Sequence, residues 1–378
     1  MLDPVRQEVV ALAHTIVVKV GTNVLAGSDG RLDRERMQSL VEQLLRIRQA
    51  GKRVVLVSSG AIGAGIGKLG LPARPSDLRQ LQACAAVGQN AMMQLYQNCL
   101  SPHGVHAAQI LLTAGDFDSR VRYLNVRNTI HALLEWDCLP IINENDTVSV
   151  AEIKFGDNDH LAAMVTNLLQ APLLILLTVV DGLYSSDPRT DPNAELLKTV
   201  PHIDARVTDM AGASRSTLGT GGMRSKLRAA RLATAAGESV IMANGSVAGI
   251  LDQILAAEPV GTLFLPHGST IPAWKRWLGF TARPKGKLVL DEGATNAVAK
   301  KGKSLLPVGV VAVTGSFGKG DVVSLCDVAG KEFARGLTNY GAADTDRIRG
   351  LSTERISEVL GTVPYVELVH RDNLVVIV

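Results

Sequence analysis

Six short apolar runs, each separated from the next by a stretch long enough to hold a helix, dominate the first two thirds of the chain. They are TIVVKV (15–20), RVVLVSS (53–59), VHAAQILLT (105–113), CLPIINEN (138–145), LLILLTVV (173–180) and SVIMANG (239–245). Continuous runs rich in Val, Ile and Leu are the pattern of strands covered on both faces. Amphipathic stretches at 33–51, 76–100, 119–136, 159–170 and 221–237 read as helices between them. Strands joined through helices need crossover connections, which are right-handed and give a parallel sheet. The expected fold class is therefore α/β, an open, mostly parallel sheet sandwiched by helices.

The pattern changes near residue 260. PHGSTIPAWKRWLGFTARPKGK (266–287) carries three prolines and two of the three tryptophans and reads as a connector. Beyond it, strand-like runs at 308–314, 321–326 and 332–337 are broken by glycine turns, the mark of a small β-rich domain. The expected division is a catalytic domain over 1–262, a linker over 263–285 and a second domain over 286–378. With 378 residues, 46% of them hydrophobic and 20% charged, the chain can bury a core in each. A net charge of only +3 argues against the whole chain being a nucleic-acid binder. Cys84, Cys99, Cys138 and Cys326 form no CxxC pair and are expected to be reduced core thiols. The N-terminus lacks a signal-peptide pattern and the most apolar run, APLLILLTVV, is too short to span a bilayer. A cytoplasmic protein without membrane contact is expected.

In an open parallel sheet, ligands bind beyond the carboxyl ends of the strands. Small residues, hydroxyls and carboxylates gather there: Lys19 with GTN, then SSGAIGAGIG, INEND with KFGDND, TVVDGLYSSDP, and LGTGGMRSK before a helix. Glycine-rich approaches to helices let backbone N–H groups reach an anion, although any one of them also reads as a tight turn or close packing. Neither a GxGxxG fingerprint at the first turn nor a P-loop is present. Lys19 ends an apolar strand, where a lysine is costly unless paired. Lys226 falls in the first turns of a helix, where it can neutralise a phosphate or simply face solvent. In GDND, Asp157 or Asn158 could cap the next helix, take part in chemistry, or do both.

Taken together, VVKVGTNVL, VSSGAIGAG, INENDTVS, EIKFGDNDHLAA, DGLYSSDPR and GTGGMRSKLRAA resemble, in order and spacing, the glutamate 5-kinases of the amino acid kinase superfamily. The C-terminal DEGATNAV, SLLPVGVVAVTGSFGKGDVV and GLTNY resemble a PUA domain. The resemblance implies the amino acid kinase fold and transfer of a phosphoryl group from ATP, with Mg²⁺, to the side-chain carboxylate of L-glutamate, the first step of proline biosynthesis. A carboxylate with a reference pKa of about 4.3 arrives ionised, so no general base is needed. Charge stabilisation and positioning are what such a site must supply.

Residue roles follow from the matching motifs. Lys19 and Lys226 are implied to act on the transferring phosphoryl group, and Ser59, Asp146 and Asn158 to bind glutamate. ATP contacts are implied for Lys19, Gly21, Thr22, Thr178, Val179, Thr220, Gly221, Gly222, Met223, Arg224, Ser225 and Lys226. Asp157 and Asp159 are expected near the transfer centre, holding a lysine or helping indirectly to organise Mg²⁺. One position departs from the pattern, because Val179 follows Thr178 where the family commonly has Asp. The resemblance also implies proline as feedback inhibitor, a homo-oligomer, and a downstream glutamyl phosphate reductase as a partner. The alternatives are a superfamily member with another acceptor, or an RNA-binding protein acting through the PUA-like domain. Few aromatics and interleaved acids around AKKGK speak against RNA.

Overall fold

The computed structural model describes residues 3–27, 31–148, 158–210, 222–266, 273–361 and 365–377. Contacts divide the chain into two units, 1–270 and 271–378. In the first, β1 (Thr15–Val20), β2 (Arg53–Ser58), β3 (Ala107–Leu112), β4 (Leu139–Glu144), β5 (Leu173–Thr178), β6 (Thr199–Val200), β7 (Ser239–Asn244) and β8 (Thr262–Phe264) form one sheet of order β3-β4-β2-β1-β5-β7-β8-β6. Every neighbouring pair is parallel except β7–β8. The six apolar runs are β1, β2, β3, β4, β5 and β7, each within two residues of its expected ends. β1 lies at the middle of the sheet with all six residues buried, as its β-branched side chains suit a strand covered on both faces.

Helices α1 (Pro4–Leu12), α2 (Thr22–Leu25), α3 (Arg34–Gln49), α4 (Ala61–Lys68), α5 (Leu78–Leu100), α6 (Ala114–Asp118), α7 (Arg120–Glu135), α8 (Asn158–Leu169), α9 (Ala205–Met210), α10 (Met223–Ala235) and α11 (Ile250–Leu255) accompany the sheet. Asp33 caps α3, its Oδ1 accepting from the Glu35 and Arg36 backbone N–H groups. α8 is buried around its whole circumference, every residue from Leu161 to Leu169 being buried and all but Thr166 and Asn167 apolar. A helix of that kind belongs inside a protein, and α8 packs on β1, β2, β4 and β5 with α10 beside it. Both residues that open α8 are therefore delivered to the interior end of the sheet.

The turn SSGAIGAGIG is mostly α4, and two of the close glycine approaches serve packing. A methyl group at Gly65 would lie 1.8 Å from the Cys84 carbonyl oxygen, and one at Gly88 would lie 1.8 Å from that of Ala61. α4 and α5 thus meet backbone to backbone. Gly60, at φ +113°, makes the turn from β2 into α4 that other residues rarely adopt.

The second unit has its own sheet of β9 (Gly286–Leu290), β10 (Val310–Gly315), β11 (Val322–Cys326), β12 (Glu332–Leu337) and β13 (Leu374–Val376), in the order β10-β9-β11-β12-β13. Leu288, Leu290, Val323, Leu325, Leu368 and Val369 are fully buried in its core. The stretch 263–285, expected as a connector, holds the end of β8 in the first unit. In the second it holds the short α12 (Ala273–Arg276) and a wide helical turn over Trp277–Thr281, with Trp277 and Leu278 buried. Among the described residues no helix is long and apolar enough to cross a membrane.

Candidate active site

Parallel register brings the carboxyl ends of the central strands level. Val20 of β1 pairs with Ser58 of β2 and Leu177 of β5, and Thr178 of β5 pairs with Asn244 of β7. Lys19, the fifth residue of β1, is only 3% exposed. Its Nζ lies 2.5 Å from Asp159 Oδ1, and Lys226 Nζ reaches the other oxygen, Oδ2, at 2.9 Å. Ser225 Oγ donates to the Gly222 carbonyl at 2.8 Å and lies 3.3 Å from the same Oδ2. Asp159 is fully buried. Three elements therefore meet on one carboxylate: the end of β1, the first turn of α8 and the first turn of α10.

A buried charge is tolerated only when paired, and removing one partner from such a cluster is strongly destabilising. Among the described residues, two ammonium groups share this one carboxylate at the sheet edge. The helix dipole adds positive potential, since both α8 and α10 present their N-termini here. Such a place favours an anion. Gly21, the residue before α2, lies close by, so that a methyl group there would come within 3.5 Å of Lys19 Nζ.

Next to this cluster is a string of amides. Asn158 Nδ2 donates to Ser59 Oγ and to Asn143 Oδ1 at 2.8 Å each, and approaches the Ser58 carbonyl at 3.2 Å. Asn143, on β4, donates from its own Nδ2 to Gln89 Oε1 of α5 at 2.9 Å. The Glu144 backbone N–H also donates to Asn143 Oδ1, at 2.9 Å, which identifies that atom as the oxygen. Asn158 Oδ1 is buried and has no hydrogen-bond partner among the described residues. It is an acceptor available to a bound molecule. Asp146, half-buried, sits in the turn after β4.

On the other side of β1, Thr178 ends β5 and is buried, whereas Val179 is 48% exposed. Asp181 follows two residues later, its Oδ1 accepting from Asn244 Nδ2 at 2.9 Å and its Oδ2 from the Tyr184 hydroxyl at 3.0 Å. Burial first, and then the Asp181 carboxylate, raise the Tyr184 hydroxyl above its ordinary pKa. Gly245, just past β7, lies against Val24 and Leu177, where a side chain would collide.

Lys19, Ser225 and Lys226 each contact Asp159, and Ser59 and Asn158 are in contact with each other. Gly21 and Thr22 open α2, Thr178 and Val179 leave β5, and Gly222, Met223 and Arg224 open α10. Asp157, Thr220 and Gly221 lie outside the described residues. Three participants carried no assignment from sequence: Asn143, Gln89 and Asp181. Asn143 had one legible sign, as an amide inside the otherwise apolar strand CLPIIN.

Among the described residues no three His, Cys, Asp or Glu side chains converge on a metal position. Asp159, with an ammonium group on each oxygen, is suited to anchoring lysines rather than to ligating a cation. The arrangement can hold an anion over Lys19 and Lys226 and place a second ligand beside it, over Ser59 and Asn158.

Residues 14–244 match the amino acid kinase family and residues 286–360 match the PUA domain. The chain is 48% identical to a glutamate 5-kinase of Moorella thermoacetica, the alignment covering 97% of both chains. It is 45% identical to one from Caldanaerobacter subterraneus subsp. tengcongensis, over 96% of this chain and 97% of that one. A third, from Methylococcus capsulatus, is 47% identical with the same coverage.

Proposed function

We propose a function on the premise that the chain belongs to the amino acid kinase family and, by its full-length likeness, to the glutamate 5-kinases. It transfers the terminal phosphoryl group of ATP to the side-chain carboxylate of L-glutamate, giving L-glutamyl 5-phosphate and ADP, the opening step of proline biosynthesis. The observation that carries this reading is the buried Lys19–Asp159–Lys226 cluster beside the Asn158–Ser59 pair.

The chemistry asks for little besides charge and placement. A carboxylate oxygen attacks phosphorus, the new O–P bond forms, and the bond to the departing ADP oxygen breaks. No proton moves, so no base is required. Phosphoryl transfer places charge on the equatorial, attacking and leaving oxygens, and fixed cations in a water-poor site stabilise it. Lys19 and Lys226 supply those cations. Asp159 holds both ammonium groups on one side and keeps them from swinging away when the site empties. The two ammonium groups offset the repulsion between two anions, nucleotide and glutamate, that must meet in one place.

Glutamate is assigned to the β4 side. Asn158 offers its unpartnered Oδ1, Ser59 its hydroxyl, and Asp146 a carboxylate suited to the α-ammonium. ATP is assigned to the β5–β7 side, with its phosphates over the first turns of α2 and α10 and its nucleoside toward Thr178, Val179 and Asp181. Adjacent strands lie about 4.8 Å apart, so β1 and β7 are separated by about 10 Å, a span that suits the distance from terminal phosphate to nucleoside. Mg²⁺ enters on the nucleotide and, when bound, offsets phosphate charge; such ions keep several waters and take few protein carboxylates. Proline as end-product inhibitor, a homo-oligomeric assembly and a cytoplasmic location belong to the same reading.

The test is ATP-dependent hydroxamate formation with L-glutamate, aspartate, N-acetylglutamate or carbamate as acceptor. Acyl phosphates are trapped by hydroxylamine as coloured hydroxamates. Glutamate should be the preferred acceptor. Trapping with another acceptor and none with glutamate overturns the reading.

A further inference from the structure

One face of α5 reads the ends of two strands. Gln89, Met92 and Tyr96 recur at helical spacing, and all three are buried. The Tyr96 hydroxyl is 2.8 Å from Ser58 Oγ at the end of β2, and Gln89 Oε1 takes the 2.9 Å hydrogen bond from Asn143 near the end of β4. Gln89 is also fixed in place through its own backbone. Its neighbour Gly88 rests on Ala61 and Gly65 of α4 with no room for a methyl group, and α4 opens just after Ser59 and Gly60.

We propose that Gln89 is a positioning residue for the glutamate side of the site, acting through Asn143 on Asn158. An amide can sit in either of two orientations. With its oxygen toward Asn158, Asn143 accepts from Asn158 Nδ2; turned over, it would set one NH₂ group against another. Gln89 Oε1 favours the first orientation because only the Asn143 NH₂ group can donate to it. That holds Asn158 Nδ2 among Asn143 Oδ1, Ser59 Oγ and the Ser58 carbonyl and leaves Asn158 Oδ1 for the substrate. Gln89 Nε2 itself has no partner, so the oxygen is the atom through which Gln89 acts. No sign of this is visible in sequence, where Gln89 is one polar residue in an amphipathic helix.

The inference rests on the glutamate assignment above, and a double-mutant cycle tests it. Gln89→Met is unbranched and of similar size but accepts no comparable hydrogen bond. It should raise the KM for glutamate about 3- to 10-fold, the worth of one hydrogen bond, with the KM for ATP within about 2-fold. In an Asn143→Ala background the same change should add nothing. An unchanged glutamate KM, a parallel rise in both KM values, or the same rise in the Asn143→Ala background overturns the inference. Should Gln89→Met not fold, Gln89→Glu keeps an acceptor oxygen of the same reach and should hold the glutamate KM within about 3-fold of wild type, by the same hydrogen-bond arithmetic. A larger rise in that folded variant overturns the inference equally. A wild type inert toward glutamate overturns the functional reading itself, whereas an active wild type with the wrong cycle overturns this inference alone.

Discussion

At the scale of single residues, Asp159 is the position where charge is least replaceable. It is fully buried and faces Lys19 at 2.5 Å and Lys226 at 2.9 Å. Asp159→Asn keeps the shape and removes the charge, leaving two buried ammonium groups without their common counter-ion. Breaking a buried ion pair costs about 3–5 kcal/mol, so the variant should melt at a lower temperature. Its kcat for glutamate-dependent hydroxamate formation should fall about 100-fold or more, the scale seen when a charge-stabilising group is lost. A folded variant with a near wild-type kcat would remove Asp159 from the catalytic account. The lysine half of this cluster was legible in sequence, because a lysine between valines in a buried strand needs an anion. Its partner was narrowed only to GDND, since distance along the chain does not say which carboxylate the fold will bring to it. Gln89 was not legible as a site residue, and Asn143 showed only as an amide in an apolar strand. Burial, which tertiary packing decides, separates a structural amide from a solvated one. Val179 poses the opposite case, an apolar residue left 48% exposed just past the end of β5, where the sequence resemblance leads one to expect a carboxylate. Val179→Asp should lower the KM for ATP, with kcat and the KM for glutamate little changed; an unaltered ATP KM would show that position 179 makes no nucleotide contact through its side chain.

At the scale of elements, α8 does two jobs that its sequence serves unequally. Its N-terminus delivers Asn158 and Asp159 to the sheet edge, and its body fills the space against β1 and β5. The body contains one polar residue that the packing does not explain. Asn167 is fully buried and, among the described residues, neither Oδ1 nor Nδ2 has a hydrogen-bond partner. A buried polar group left unpaired costs about 1–3 kcal/mol, and Leu has a similar shape without that penalty. Asn167→Leu should therefore raise the urea midpoint, with an unchanged m-value and unchanged kinetics. A lower midpoint would mean that the amide is satisfied in solution. The six long strands and the helices α3, α5, α7, α8 and α10 were readable because each is long enough to show its apolar run or its amphipathic pattern, whereas α2, α4, α6 and α9 were not read. β6 and β8, of two and three residues, are too short to show one, and the antiparallel β7–β8 pair they create could not be read from apolar runs alone. The glycines of α4 illustrate the limit of motif reading: a glycine-rich turn after a strand suggests an anion, but Gly65 is there because the Cys84 backbone leaves it no room.

At the scale of the whole molecule, the chemistry and the second sheet are separable in sequence. Every described residue assigned to glutamate or ATP lies between Lys19 and Lys226, within the unit spanning 1–270. That unit has its own large core, from Ile16 through Leu44 and Tyr96 to Leu251, and the unit spanning 271–378 has another built on Leu288, Val323 and Leu368. A core of its own is what lets a segment of about 100 residues fold alone. Excised, residues 271–378 should unfold in a single calorimetric transition, with an enthalpy of about 60–80 kcal/mol as for other domains of that size. The complementary chain, 1–270, should remain folded and should still form hydroxamate from glutamate and ATP, because the lysine cluster and the amide string are complete without the second unit. If the shortened chain is folded, by the same calorimetric criterion, yet makes no hydroxamate, then the second unit supplies something to catalysis that the first lacks. If it keeps its rate, the C-terminal sheet acts on something other than the phosphoryl transfer, and its role is to be sought in regulation or assembly of the intact enzyme.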